Sequence, residues 1–448
     1  MVGLVPKRGL FGLFPGRSIF SMTDKQNSTN APRALASSSG DLFNGFFQPG
    51  KKWNFQKNNL IDARGRRLFE MTATACAAGV YPYQAPLQGR SGPWVQTEGH
   101  RMLMLSSYDY LALIGDPRVD EAAIAAIRKY GTGTGGVRLL TGTIDLHHQM
   151  EKDVAAFKGT DAAITFGSGY LANLAVVSAL LAPQDRVILD SFSHRSLVDA
   201  CRLSGVQVQR FQHNNAESLR HELQSGPPAQ RTIIISDGVF SMDGDICCLP
   251  DLIALKNEFN CYLMVDESHA SGVLGKTGRG TDEHFGLPVT GVDIWTGSLA
   301  KAIPSNGGFA AVSQELAIFL QHAAAPFIFS AALCPSAVAA VRASLAILKE
   351  EPERVARLNV NATFLRDGLR SLGYDTGLSE TPIIPVILHD ETSTALLARG
   401  LRDLGVLVTP VMFPAVPQGS ARLRLCVTAA HTQQDLEFAL DAFSQLRR

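Results

Sequence analysis

The chain reads as an α/β protein: a mostly parallel sheet of about seven strands flanked by helices, with a smaller C-terminal α+β domain. Three observations lead there. Between residues 162 and 300, short apolar runs alternate with helical patterns. Two of those runs end in clusters of polar residues, and the carboxyl ends of strands are where an open α/β sheet presents ligand-binding groups. Beyond residue 340 the order changes to long helices, then strands, then a closing helix.

Taken in order, residues 1–22 carry Lys7, Arg8 and Arg17 without an acid, as in a transit-type presequence or in sequence upstream of a start at Met22. Residues 23–50 are rich in Ser, Asn, Thr and Gly and read as a flexible lead-in, so 1–50 is expected to be a flexible or targeting-like segment. Residues 51–105 read as an N-terminal arm ending in a strand pair, Trp94–Thr97 and Arg101–Leu105. A large domain is expected over 106–339 and a small one over 340–448. The large domain opens with a helix, Asp116–Tyr130, and the segment GTGTGGVRLLTGT, whose glycines suit a backbone passing close to a ligand or another subunit. Strands are then expected at Ala162–Phe166, Arg186–Leu189, Gln207–Phe211, Thr232–Ser236, Cys261–Val265 and Asp293–Thr296. Helices are expected at Leu171–Leu181, Ser196–Ser204, Ala216–Gln224 and Leu249–Glu258. Ser336–Leu372 is helical with a charged, proline-containing interruption at Glu350–Arg354. Strands at Ile383–Leu388, Val406–Thr409 and Arg422–Val427 follow, and a helix over Thr432–Leu446 buries Leu436, Leu440 and Phe443.

At 448 residues, with 46% hydrophobic and 18% charged residues, the composition is that of a globular enzyme. The 41 basic and 41 acidic residues cancel, so no basic excess points to nucleic acid. Seven scattered cysteines without a CxxC pair favour reduced thiols in the cytoplasm over disulfides or a zinc site, and no metal is expected. The most apolar window, Ala331–Leu348, contains Pro335 and Arg342 and reads as a core helix; no transmembrane segment is expected.

The chemistry concentrates between Cys261 and Gly308. One apolar run delivers Asp266, Glu267, Ser268 and His269; a second delivers Ser298 and then Lys301, 35 residues after Asp266. An acid, an imidazole, a hydroxyl and an amine converging on one strand edge suit pyridoxal 5'-phosphate. The lysine joins its aldehyde, and the carboxylate keeps its ring nitrogen protonated. Elsewhere, GSGYLAN lies between a strand and a helix, so the amides of Gly169 and Tyr170 are placed to take a phosphate, with Ser298 adding a hydroxyl. His194 follows another strand and is placed to stack on a ring, while His269 is within reach of the cofactor's phenolic oxygen. Arg424 sits inside the apolar run RLRLCV, where burial demands an anion: a substrate carboxylate, or an internal Asp or Glu.

From about Met104 to Phe443 the chain resembles the α-oxoamine synthases, fold-type-I pyridoxal phosphate-dependent transferases. The resemblance rests on SSYDYLAL, GTGTGGVRLLTGT followed by His147 and Glu151, GSGYLAN, DSFSHRSL, FQHNN, DGVFSMDGD, VDESHASGVLGKTGRG, GSLAK and ARLRLCVTAAHT. It implies that Lys301 is the Schiff-base lysine, Asp266 the pyridinium partner, His269 the phenolate partner and His194 the stacking ring. Gly169, Tyr170 and Ser298 would hold the phosphate, Ser241 would lie beside the cofactor, and Arg424 would take the amino-acid carboxylate. The substrates implied are an amino acid and an acyl-CoA or acyl carrier protein thioester. A homodimer is also implied, with the 131–143 loop contributing to the neighbour's site.

The reaction implied is a decarboxylative Claisen-type condensation. Tyr108 matches serine palmitoyltransferases, where other branches carry Asn, and makes it a substrate-binding candidate. Met412 departs from the Arg usual in bacterial members of that branch. Arg195 stands where Ala is common, and Ser298 keeps the hydroxyl of the usual Thr. Open alternatives are glycine C-acetyltransferase or 8-amino-7-oxononanoate synthase activity, an aminotransferase or aldolase on the same fold, and a regulatory subunit; retention of Lys301, Asp266 and both histidines weighs against the last.

Overall fold

The structure, a computed structural model, describes residues 61–77 and 81–447. The presequence and lead-in expected over 1–50 lie outside the described residues. Thirteen strands form three sheets among the described residues. In chain order they are β1 (Trp94–Thr97), β2 (His100–Met104), β3 (Ala162–Phe166), β4 (Arg186–Asp190), β5 (Gln207–Phe211), β6 (Thr232–Asp237), β7 (Tyr262–Asp266), β8 (Ile294–Ala300), β9 (Pro304–Val312), β10 (Ile383–His389), β11 (Val406–Leu407), β12 (Thr409–Val411) and β13 (Ala421–Cys426).

The central sheet has seven strands in the order β3-β9-β8-β7-β6-β4-β5. All of its neighbouring pairs are parallel except those of β9, which runs against both β3 and β8. β6 and β7 are buried almost throughout, as runs covered on both faces must be. Their ends are level: Asp237 pairs with Asp266, and Asp266 with Thr296. That register puts the polar ends of three strands at one edge.

β9 departs from the sequence expectation, which placed no strand at 304–312 and ended its neighbour at Thr296. Pro304 and the Gly307–Gly308 pair read as a turn, but Phe309–Val312 are buried. β8 and β9 form a hairpin, and β8 therefore continues through Ser298 to Ala300. A Cβ on Gly308 would lie 2.4 Å from both the Gly169 nitrogen and the Ser168 oxygen, so glycine there permits the backbone contact between β9 and the helix Gly169–Leu180.

Other differences are local. The single strand expected at Val406–Thr409 is divided between sheets: β11 pairs in parallel with β2, whereas β12 pairs with β13. A helix at Asp145–Lys158 was not expected, since its His and Lys content hides the buried face formed by Met150, Val154 and Ala155. Within it, Glu151 makes two buried bonds to Arg138 of the Gly-rich segment, at 2.8 and 3.0 Å. The helices Pro335–Glu350 and Glu353–Ser371 meet at the expected interruption. Among the described residues no helix is long and apolar enough to cross a membrane.

Candidate active site

Asp266 is the last residue of β7 and is 3% exposed. Its Oδ1 accepts from the Ser268 amide at 2.8 Å, and its Oδ2 from Asn173 Nδ2 at 2.6 Å. Asn173 comes from the helix Gly169–Leu180, with its Oδ1 accepting from Thr296 Oγ1 on β8 at 2.7 Å. Its Nδ2 also donates to Ser196 Oγ, which lies 2.7 Å from His194 Nδ1. A polar chain, buried at Asp266, Asn173 and Ser196, thus links the carboxylate to the more exposed imidazole across three elements. Each link satisfies a group that would be costly to bury alone.

His194 caps the helix Arg195–Ser204, its Nδ1 accepting from the Ser196 amide at 3.3 Å. Since an amide can only donate, the neutral ring carries its proton on Nε2. The His194 amide donates to Asp237 Oδ2 at 3.0 Å, which ties the loop after β4 to the end of β6. Burial, then the nearby charge of Asp266, raises the Asp237 carboxyl well above its usual range.

His269 Nδ1 lies 2.9 Å from the Tyr110 hydroxyl. Burial, followed by the charges of Lys301, Arg424 and His194, holds this imidazole well below its ordinary pKa and therefore neutral. The Lys301 amine, in the turn from β8 to β9, is lowered to about 8, chiefly by burial and against the pull of Asp266. An amine with that pKa supplies a usable fraction of neutral nucleophile near neutral pH. The influences of these groups on one another are those of near neighbours: Lys301 feels Asp266 and Arg424, and His269 feels Lys301, Arg424 and His194.

The helix Gly169–Leu180 begins at the same edge. Ser168 caps it by accepting from the Leu171 amide at 3.1 Å, while the amides of Gly169 and Tyr170 are first-turn donors without an intrahelical acceptor. A Cβ on Gly169 would meet Ser298 Cβ at 3.0 Å, so β8 lies directly against the helix start. Only the backbone of Tyr170 faces this point by the chain's geometry; its phenol bonds Asp199 at 2.8 Å and is 40% exposed. Arg195 also turns to Asp199, at 2.7 Å, on the surface.

Arg424, in the middle of β13, is 4% exposed. Its Nε donates to the Ser241 carbonyl and its Nη1 to Cys426 Sγ at 3.1 Å; its buried Nη2 has no hydrogen-bond partner among the described residues. Ser241 thus meets the site through its backbone. No Asp or Glu among the described residues is within these contacts, and a buried guanidinium nitrogen of this kind suits an anion. Tyr108 packs its ring 4.7 Å from the guanidinium carbon and edge-on to His269, with centroids 5.9 Å apart.

Asn173, Thr296, Ser196, Tyr110 and Cys426 were not singled out from the sequence. Four of them stand inside quoted motifs, but their partners are distant in the chain: Asn173 and Asp266 are 93 residues apart, Tyr110 and His269 159. His213, of FQHNN, also acquires a place. It bridges Asp190 at 3.0 Å and Asp245 at 2.8 Å, joining the loop that bears His194 to the loop that bears Ser241.

The donor set fits pyridoxal phosphate: a buried carboxylate for the ring nitrogen, an amine of lowered pKa for the aldehyde, two imidazoles beside them and helix-start amides for the phosphate. The unpartnered Arg424 Nη2 leaves a place for a carboxylate beside them.

Comparison with known proteins agrees. The model of the aminotransferase class I and II family matches residues 100–443. An 8-amino-7-oxononanoate synthase of Thermoanaerobacter pseudethanolicus is 43% identical, covering 82% of this chain and 93% of its own. A serine palmitoyltransferase of Bacteroides thetaiotaomicron is 40% identical, with 83% and 94% covered. A solved serine palmitoyltransferase with the PLP internal aldimine superposes with a TM-score of 0.82 at 32% identity, covering 88% of this chain and 98% of its own. The chain therefore belongs to the aminotransferase class I and II family, among its α-oxoamine synthases, and is a pyridoxal phosphate-dependent acyltransferase.

Proposed function

We propose that the enzyme condenses a small amino acid (serine, glycine or alanine) with an acyl thioester, giving an α-amino ketone, carbon dioxide and the free thiol. The observation that carries this reading is the buried Nη2 of Arg424, without a partner among the described residues and on a side chain close enough to Lys301 to act on its amine. A guanidinium there fixes an amino acid by its carboxylate, and Lys301 is left to work at the α-carbon.

When bound, the cofactor supplies an aldehyde for the amine and a ring that accepts electrons from the α-carbon. The chain's own residues do the rest. Asp266, held by Asn173 and Ser268, keeps the ring nitrogen protonated. His194 would cover a ring face, His269 would bond the phenolic oxygen, and Gly169, Tyr170 and Ser298 would hold the phosphate. Lys301 takes the α-proton as a general base and returns a proton to the product carbon after carbon dioxide leaves. Atoms balance: a carbon–carbon bond forms at the acyl carbon, and the carbon–sulfur and carboxyl bonds break.

Tyr108, packed on Arg424, favours a serine palmitoyltransferase-like specificity. The 43% identity to an 8-amino-7-oxononanoate synthase favours the second reading, whose named product carries a carboxylate at the far end of its chain. We also propose that the enzyme is a homodimer to which the 131–143 loop contributes across the interface, and that 106–339 and 340–448 act as large and small domains. Acyl-CoA and acyl carrier protein thioesters, fatty or carboxylate-ended, should be run against Ser, Gly and Ala with product masses read directly. Fatty acyl products with serine support the first reading; turnover confined to carboxylate-ended acyl groups supports the second. Release of neither thiol nor carbon dioxide from any pair overturns both.

A further inference from the structure

Two residues with no part in the reading above, Tyr110 and Cys426, lie between Arg424 and His269. Both are fully buried. Arg424 Nη1 donates to Cys426 Sγ at 3.1 Å, the guanidinium and the thiol both interact with the Tyr110 hydroxyl, and that hydroxyl is 2.9 Å from His269 Nδ1. Burial raises both acids above their ordinary pKa, so thiol and phenol stay protonated.

The direction of every hydrogen bond in this row follows from its first member. A guanidinium carries only donors, so Cys426 Sγ accepts from Arg424. The guanidinium also bonds the Tyr110 oxygen, where it again can only donate, with the thiol beside it. With its oxygen so engaged, Tyr110 has one proton to donate and one strong acceptor within reach, His269 Nδ1. A neutral imidazole that accepts at Nδ1 must carry its hydrogen at Nε2. His269 is neutral because it is buried among cationic groups.

We propose that Tyr110 and Cys426 are positioning residues that lock His269 in its Nε2–H tautomer and thereby make it a hydrogen-bond donor towards the reacting atoms. The inference rests on the assignment of His269 to the cofactor's phenolic oxygen and deepens it. Reversed, the imidazole would present a lone pair to an oxygen that is itself an acceptor, and the contact would be repulsive. Because the row starts at Arg424, an amino-acid carboxylate docking on that guanidinium is connected through it to the imidazole.

The test is 15N NMR of the holoenzyme labelled in its histidine rings, with the His269 signals assigned by their loss in His269→Gln. The wild type should show a pyrrole-type resonance at Nε2 and a pyridine-type resonance at Nδ1. Tyr110→Phe removes only the hydroxyl and should move His269 to a mixed or Nδ1–H state, with kcat falling about tenfold to a hundredfold, the range for lost partners that orient a working histidine. The amino-acid KM should change much less than kcat. Cys426→Ser keeps a donor and an acceptor and should retain the wild-type tautomer, whereas Cys426→Ala should weaken the preference. A wild-type His269 protonated at Nδ1, or a Tyr110→Phe enzyme with unmoved His269 resonances, overturns the proposal. Either result leaves the acyltransfer reading standing, since that reading fails only if no amino acid and thioester pair turns over.

Discussion

Asn173 Nδ2 stands 2.6 Å from Asp266 Oδ2, joining the first helix of the central sheet to the end of β7. With the Ser268 amide on the other oxygen, the bond fixes the carboxylate at both ends, and Thr296 and Ser196 fix the amide in turn. Charge-assisted hydrogen bonds of this kind contribute roughly 1.5–3 kcal/mol. Asn173→Ala should therefore weaken pyridoxal phosphate binding by about tenfold to a hundredfold, measured by titrating apoprotein. Unchanged affinity would show that Asp266 is held adequately by the Ser268 amide alone.

Gly308 gives a steric prediction. A methyl group there would sit 2.4 Å from the backbone at Ser168 and Gly169, neither of which can move without shifting the helix start. Gly308→Ala should lower stability by roughly 1–3 kcal/mol, the usual cost of overpacking, and reduce cofactor affinity. Thermal melts of apo- and holoprotein separate the effects: the stabilisation on adding cofactor should shrink along with the melting temperature of the apoprotein.

The His213 bridge makes stability depend on pH. Burial lowers its pKa, but the Asp190 and Asp245 carboxylates more than offset this and raise it to about 10. The ordinary value is about 6.5. A pKa raised on folding gives stability that is complete below the unfolded value and lost as pH climbs through the folded one. The melting temperature should thus fall between about pH 6.5 and 10, and His213→Gln should flatten that fall while lowering the melting temperature at the acid end. Parallel curves for the two proteins would contradict the assignment.

How far the sequence carried depended on whether a signal was local. The runs ending at Asp266 and near Ser298 were legible because buried parallel strands are continuously apolar, and Lys301, His194 and His269 followed from their places after such runs. β9 was hidden because Pro304 and two glycines mimic a turn, and its identity depends on pairing with β3 and β8. Asn173 and Tyr110 were hidden for a related reason: each looks like an ordinary helix or loop residue until folding delivers its partner. Arg424 was legible as a buried cation, but that its Nη2 edge stays open could be seen only in three dimensions.

On the proposed reading that edge serves as a substrate clamp, which a lysine would not replace, since one ammonium cannot reproduce the planar fork. Arg424→Lys should lower kcat/KM for the amino acid by roughly 10²–10³-fold, about 3–4 kcal/mol, as for other losses of a buried charge-assisted contact. The KM for the acyl thioester should move far less. Equal losses for both substrates would place the arginine in a structural role.

The central claim is that the amine of Lys301, lowered to about 8 by burial, is the group that holds the cofactor. Borohydride reduction of the holoenzyme followed by peptide mass mapping tests it most directly. The account predicts a pyridoxyl group on the peptide containing Lys301, at the ε-nitrogen of that residue, and no such label in Lys301→Ala. A label on another lysine, or turnover persisting in Lys301→Ala, would contradict it.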